Sequence, residues 1–202
     1  MTTPADRAHA GPPAGVPRHI PLARGRLLLI GTGAFSVVDL PGWAGLLRAW
    51  YGWSIQPCLT HAAARLVSRE ALAAGAGTPV AGPDWFTGAG TGTTPHRELA
   101  AWADLILVAP ATTNFVAKCA LGIPDNLALS IVAGSTCPVV VAPSFPEAVL
   151  SRPSAKRNLE LLAEEGHYVV PTREGRSVAT GLVGPGAMAD LPTILRFMAS
   201  LL

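Results

Sequence analysis

Three short apolar runs, each stopped by turn residues, constrain this chain more than any other feature. Arg26-Leu27-Leu28-Leu29-Ile30 ends at Gly31-Thr32-Gly33, and Asp104-Leu105-Ile106-Leu107-Val108-Ala109 ends at Pro110. Pro138-Val139-Val140-Val141-Ala142 ends at Pro143. Unbroken runs of this length lack the polar alternation of a strand with one wet face, so they predict strands buried on both sides. Between and after them, helix signals recur. Leu40–Tyr51 carries apolar residues at helical spacing, Thr60–Ala73 has Thr60 placed as its cap, and Thr94-Pro95 opens a further helix. Thr112–Leu121, Asp125–Ala133, Arg157–Glu165 (stopped by Gly166) and Met188–Leu202 complete the predicted helices. Ser54–Leu59 and His167–Val170 add strands, and the Gly- and Pro-rich stretch from Pro79 to Thr94, with its Trp85-Phe86 pair, reads as a loop. Strands alternating with helices imply an α/β fold, a three-layer, doubly wound parallel sheet of Rossmann-like type. No repeat of fixed period is present.

Composition agrees and narrows the function classes. Half of the 202 residues are apolar, 14% are charged, and 21 glycines and 19 prolines punctuate many turns. Disorder is excluded for the bulk of such a chain. A net charge of +2 offers no electrostatic case for nucleic acid or an anionic membrane. Cys58, Cys119 and Cys137 match neither a zinc spacing nor a secreted disulfide framework, so a reducing, cytoplasmic setting is expected. The most apolar stretch, 127–141, is interrupted by Ser130, Gly134, Ser135, Thr136 and Pro138, too polar for a membrane span. Residues 1–24 are rich in proline and arginine and lack the apolar core of a secretory signal. They read as a disordered lead-in to a single domain over 25–202, dispensable for ligand binding.

In an open parallel sheet, ligands bind at the carboxyl ends of the strands, where strand order reverses. Those ends carry Gly31-Thr32-Gly33-Ala34-Phe35-Ser36, Thr60-His61, Pro110-Ala111-Thr112-Thr113-Asn114 and Pro143-Ser144-Phe145-Pro146. The first is a partial dinucleotide fingerprint with Ser36 in place of the third glycine. No acidic residue follows at the distance where a ribose would be held. Backbone N–H groups, with the Thr32 or Ser36 hydroxyl, suit the phosphate of a mononucleotide or flavin better than NAD. A tight strand-to-helix turn accounts for the same residues. His96 falls in the first turn of its helix, where it serves either as a base or as an ordinary surface histidine. Thr112, Thr113 and Asn114 suit the polar edge of a heteroaromatic ring, or equally a helix cap, as does Asp125-Asn126. His61 is ambiguous, while His9, His19 and His167 read as incidental. No Walker sequence, nucleophile elbow, HExxH or CxxC occurs, and no metal site is expected.

Taken in order, Thr32-Gly33-Ala34…Leu40-Pro41, Thr60…Ala63, Pro95-His96…Leu99…Ala103-Asp104, Val108-Ala109-Pro110-Ala111-Thr112-Thr113-Asn114 and Lys118…Gly122-Ile123…Asp125-Asn126-Leu127 form a pattern. Over roughly residues 26–200 it resembles the homo-oligomeric flavin-containing cysteine decarboxylases. These include phosphopantothenoylcysteine decarboxylases and enzymes that oxidatively decarboxylate the C-terminal cysteine of ribosomal peptides. The resemblance implies FMN, with FAD as the alternative, bound between subunits of a trimer that assembles further. It implies that His96 is the active-site base and that Asn114 lies beside the isoalloxazine. It places Gly33, Ala34, Phe35, Ser36, Thr60, Ala63, Ala111, Thr112, Thr113, Gly122 and Asn126 in the cofactor set.

Two departures refine this expectation. The family's Pro-x-Met-Asn segment, whose asparagine helps hold the substrate carboxylate, here ends in Phe145-Pro146. The Ala-Cys-Gly stretch of the coenzyme A pathway enzymes, whose cysteine returns a proton, here reads Ala179-Thr180-Gly181. Phe145, Pro146 and Thr180 are therefore the substrate-side candidates. A threonine hydroxyl is far less acidic than a thiol, so the reaction should stop at the oxidised enethiol, which favours peptide tailoring. Phosphopantothenoylcysteine decarboxylation, or a flavin-binding partner protein that has lost catalysis, are the alternatives. Residues 147–178 are the candidate peptide clamp, or equally a surface helix and a hairpin.

Overall fold

The computed structural model describes residues 11–85 and 94–202. Five strands, β1 (Arg26–Gly31), β2 (Ser54–Leu59), β3 (Leu105–Ala111), β4 (Val139–Pro143) and β5 (Tyr168–Val169), form one sheet in the order β2-β1-β3-β4-β5. Every pairing is parallel. Parallel neighbours need crossovers. These contain α1 (Leu40–Tyr51), α2 (Arg69–Ala76), α3 (Pro95–Trp102), α4 (Thr113–Ala120), α5 (Leu127–Ala133), α6 (Glu147–Leu150) and α7 (Pro153–Glu164). An antiparallel pair, β6 (Arg173–Arg176) and β7 (Val183–Ala187), stands apart from the main sheet, and α8 (Leu191–Leu201) closes the chain.

The two faces of the sheet are sorted by the period of two along each strand. Leu27, Leu29, Leu105, Leu107, Val140 and Ala142 meet Leu40, Ala44 and Leu47 of α1, Leu72 of α2, and Ile194, Leu195 and Met198 of α8. Leu28, Ile30, Ile106, Val108, Val139 and Val141 meet Ala100 of α3, Phe115 and Val116 of α4, the apolar side of α5, and Ala155 and Leu162 of α7. Both faces are therefore dry, and the expected three-layer α/β sandwich is the observed one.

Several boundaries differ from expectation. Thr60–Ala73 is not one helix: a short 3-10 turn covers Ala63–Arg65, and α2 starts only at Arg69. Thr60 Oγ1 reaches the Ala63 N–H at 3.4 Å, a weak cap, whereas Ser68 Oγ accepts from Ala71 N at 3.1 Å and nucleates the real helix. Pro110 does not end β3, which continues to Ala111 through a register irregularity, a position where a strand tolerates proline. The last helix starts at Leu191 rather than Met188 because Asp190 caps it, accepting from Thr193 N at 2.9 Å.

The lead-in is corrected too. Within 11–24, Val16 and Ile20 belong to the core, Ile20 being 2% exposed. The Tyr51 hydroxyl donates to Pro17 O at 2.6 Å, and Arg196 donates to Gly15 O at 3.0 Å. Residues 11–24 therefore form a strap tied to the core rather than a free tail. At the strap's end, Asp104 accepts from the Arg24 and Arg26 backbone N–H groups and from the Arg24 guanidinium, the last at 2.8 Å. Burial by itself would raise the Asp104 carboxyl, but these bonds, Arg24's first, hold it below its ordinary value.

Two outcomes follow from the strap. Ile20→Ala should cost about 2–4 kcal/mol in urea unfolding, as a core truncation does; a loss under ~0.5 kcal/mol would mean the strap is not part of the core. The depressed Asp104 value means its contribution is complete at neutral pH and drains as pH falls from the ordinary aspartate value of 3.8 through the folded one. The stability gap between wild type and Asp104→Asn should therefore be widest near pH 7 and close in strong acid, as read by urea midpoints across pH.

Candidate cofactor and active site

Strand order reverses between β1 and β3, since the chain winds outward to β2 on one side and to β4 and β5 on the other. That places the turn after β1 beside the turn after β3, which is where an open α/β sheet receives a ligand. The β1 turn is tight: Ala34 N donates to Thr32 O at 2.8 Å, and a 3-10 turn over Phe35–Asp39 follows. Gly33 is needed for packing, because a Cβ there would collide with the Cβ of Ala62 beyond β2. Phe35 is 56% exposed, and Ser36 is half-buried with its hydroxyl 4.0 Å from Met188 Sδ. Thr32 is not free for a phosphate, contrary to expectation. It is 1% exposed, and its hydroxyl donates to Pro110 O at 2.7 Å while accepting from Thr112 N at 2.9 Å.

After β3, Thr112 takes its local role as helix cap, its hydroxyl accepting from Phe115 N at 3.3 Å. Thr113 and Asn114 occupy the first turn of α4; Thr113 is half-buried and Asn114 exposed. The positive end of α4 thus faces the same sheet end as the β1 turn. Ala63 and Ala111 lie fully buried in the core, so their methyls pack inside the protein, and Thr60 is half-buried at the end of β2. Asn126 caps α5 through its Oδ1, which accepts from Leu129 N at 3.0 Å, and its amide donates to Asp125. Gly122 has φ +63° just past α4, with open space around a would-be Cβ. Its N–H donates to Cys119 O at 3.1 Å, so local backbone geometry alone accounts for the glycine.

His96 is the second residue of α3, with its ring edge-on to Trp85, 5.4 Å between centroids and 85° between planes. Its Nδ1 is buried and has no hydrogen-bond partner among the described residues. The ring borders an open depression of about 450 Å³ with Arg97, Ala100 and Ala101 of α3 and Gly134 and Thr136 beyond α5. Trp85 is the contact that sequence reasoning passed over, having placed it in a loop; only an aromatic ahead of a helix-opening proline hinted at it. His61 is exposed, and His167 Nε2 lies 3.9 Å from Cys119 Sγ. Burial pushes the Cys58 thiol up to about 12 and, with a smaller push from Glu165, the Cys119 thiol to about 11, so both stay protonated and unreactive.

The Pro143–Pro146 segment joins the site to the hairpin. Ser144 N donates to Ala111 O at 2.9 Å, holding the end of β4 against that of β3. Phe145 is buried, and its N–H donates to Gly186 O of β7 at 2.8 Å, while Pro146 is exposed at the start of α6. Thr180 sits in the exposed turn of the hairpin, its hydroxyl accepting from Leu182 N at 3.3 Å. Residues 147–178 hold α6, α7, β5 and β6, and the hairpin extends beyond them to display exposed Val178, Leu182 and Val183.

An open parallel sheet with paired polar turns at its switch point defines a nucleotide-type binding α/β protein. A family model described as Flavoprotein matches residues 19–202, and the chain belongs to that family. A cysteine/cysteine sulfinic acid decarboxylase from an unknown prokaryotic organism is 40% identical over 105 residues, 52% of this chain and 29% of that protein. The FMN-dependent cysteine decarboxylase SpaF superposes with a TM-score of 0.74 at 32% identity, over 89% of this chain and 98% of SpaF. A cysteine-to-serine mutant of PPC decarboxylase, complexed with pantothenoylaminoethenethiol, gives 0.76 at 25% identity over 87% and 96% of the two chains. The aligned segments span 25% to 42% of the length of further curated relatives.

Gly186 tests the joint between site and hairpin. It has φ +100°, and a Cβ there would strike Phe145 O. Gly186→Ala should cost roughly 1–3 kcal/mol locally and speed amide exchange at Phe145 and along β7. Unchanged exchange would show that the hairpin is held elsewhere.

Proposed function

We propose that this chain is an FMN-dependent cysteine decarboxylase that acts oxidatively on the C-terminal cysteine of a ribosomally made precursor peptide, yielding a peptide enethiol. The observation that carries this reading is the likeness to SpaF, an FMN-dependent cysteine decarboxylase, at 32% identity over 98% of its length. The residues fit the cofactor. Gly33, Ala34, Phe35 and Ser36 give a tight turn suited to a phosphate, and Thr113 and Asn114 offer a hydroxyl and an amide at the positive end of α4, suited to the polar edge of the ring. Thr60 and Thr112 stand at the ends of β2 and β3 beside these turns, whereas Gly122 and Asn126 lie past the far end of α4.

When bound, FMN supplies the acceptor for the hydride that leaves the cysteine Cβ. The protein's part is positioning and proton transfer. An imidazole nitrogen of His96 takes the thiol proton, so that electrons from sulfur can assist departure of the Cβ hydride and leave a thioaldehyde. Carbon dioxide then leaves from the α-carbon, and its bond electrons move onto the thiocarbonyl to give the enethiolate. Asn114 orients the reacting sulfur against the ring, and Phe145 walls the pocket. Pro146 has no side-chain amide for the carboxylate, so hydroxyl and backbone groups near the strand ends take that role. Thr180 has no acidic proton for reducing the enethiol, so the enethiol is released. The exposed Val178, Leu182 and Val183 on the hairpin suit an apolar stretch of the peptide. The small residues around the His96 depression, Ala100, Ala101 and Gly134, allow another subunit to approach, consistent with a trimer that holds FMN between subunits and assembles further. The setting is the cytoplasm. Among the described residues, no helix is long and apolar enough to cross a membrane.

The second reading, phosphopantothenoylcysteine decarboxylation, is favoured by the likeness to PPC decarboxylase. Against it stands Thr180, whose hydroxyl is far less acidic than a thiol. A flavin-binding partner without turnover is the reading that Pro146 keeps in play.

An anaerobic visible spectrum, taken before and after adding Cys-terminated peptides, separates them. Bleaching of the flavin by peptide, with an enethiol product by mass, is the expected result; bleaching only by phosphopantothenoylcysteine would move the assignment. His96→Asn should keep bound FMN and lose at least ~100-fold in turnover, the usual scale for removing an acid–base group. Wild-type turnover in that variant would remove His96 from the chemistry.

A further inference from the structure

The ladder between β1 and β3 pairs Leu27 with Leu105 through to Ile30 with Val108, and there it ends. Beyond it, β3 is irregular from Val108 to Ala111, and Pro110 has no N–H to offer a neighbour. The two turns that face the switch point therefore begin just where regular strand pairing stops holding their strands together.

One residue, through its backbone N–H and its hydroxyl, takes over from the ladder at that point. Thr32 N donates to Pro110 O at 3.2 Å, the Thr32 hydroxyl donates to the same oxygen at 2.7 Å, and Thr112 N donates to the hydroxyl at 2.9 Å. The hydroxyl is buried, so water does not compete for either partner. Thr112 in turn caps α4, whose first turn presents Thr113 and Asn114. On its other side, Thr32 leads directly into Gly33 and the 3-10 turn. The relative placement of both turns thus runs through Thr32, by one backbone bond to Pro110 O and two bonds of its hydroxyl.

We propose that Thr32 is a positioning residue for the cofactor: its hydroxyl, without touching FMN, fixes the phosphate-side turn and the ring-side turn at the separation one bound FMN requires. The proposal rests on the assignment of both turns to FMN made above. It predicts that the hydroxyl matters more for binding than the volume of the residue.

The test compares Thr32→Val, which keeps the shape, with Thr32→Ser, which keeps the hydroxyl. FMN affinity is read by flavin fluorescence quenching, and amide exchange is followed at Thr112–Phe115 without FMN. Thr32→Val should weaken FMN binding about tenfold or more, the scale of one buried hydrogen-bond partner lost, and speed exchange at Thr112. Thr32→Ser should stay within about threefold of wild type in affinity, with protected amides. If Thr32→Val does not fold, Thr32→Ala against Thr32→Ser reads the same hydroxyl at smaller volume. Equal FMN affinity in wild type and the hydroxyl-free variant, or equal losses in the valine and serine variants, would overturn the proposal while leaving the FMN assignment standing. Wild-type protein that binds no FMN would overturn both, and in that case Thr112 exchange would report a structural staple only.

Discussion

Everything in this molecule depends on the burial of both faces of its parallel sheet. Strands whose alternate residues all need apolar cover cannot stand until helices lie on each side, and the chain supplies them in strict alternation. Removing the sorting of Leu27, Leu29, Leu105 and Leu107 to one side and Leu28, Ile30, Ile106 and Val108 to the other would leave no core. At roughly 25 cal/mol per Å² of apolar area taken from water, these side chains are the main force opposing the chain's conformational entropy. The site is a by-product of that arrangement. A sheet wound outward from β1 in both directions must leave a gap at its switch point, and polar turn residues collect there because no helix covers them.

Around that gap the structure divides labour among residues that look alike in sequence. Thr32, Thr112 and Thr113 are all threonines near strand ends, yet Thr32 staples two turns, Thr112 caps a helix, and Thr113 sits half-buried in the first turn of that helix. Gly33 and Gly186 serve close approach, one against Ala62 and the other against Phe145, whereas Gly122 serves a left-handed helix end. The hairpin has almost no core of its own. It is held at Phe145–Gly186, beside the segment where Pro146 stands, so it hangs on one backbone contact and a few side-chain bonds. An element with so little burial opens more easily than the core.

Sequence reasoning succeeded where the signal was local and repeated. Each long apolar run became a strand, and the alternation with helices led to the correct layers. It failed where two local signals competed. Thr60 looks like a cap as good as Ser68, and only the packing of Ala63 and Val67 into the core decides where the helix starts. The proline-rich lead-in looks like a tail, but Ile20 and Val16 find a slot against α1 and α8 that no local pattern announces. The site residues follow the same division. That the turns carrying Gly33–Ser36 and Thr112–Asn114 follow strands, and that His96 stands at a helix start, could be read from the sequence. The cap role of Asn126 was legible in the same local way, whereas the Trp85 contact and the burial of Ala63 were not.

By itself, the sequence determined the fold class, the strand set and the resemblance to the flavin-containing cysteine decarboxylases, because periodicity and short motifs are written in consecutive residues. Tertiary structure alone decided that the turns after β1 and β3 are neighbours, that Thr32 lies inside rather than facing a phosphate, and that Val16 and Ile20 belong to the core. Those outcomes depend on which strands pair, and pairing is set by the total burial over 202 residues rather than by any stretch of them.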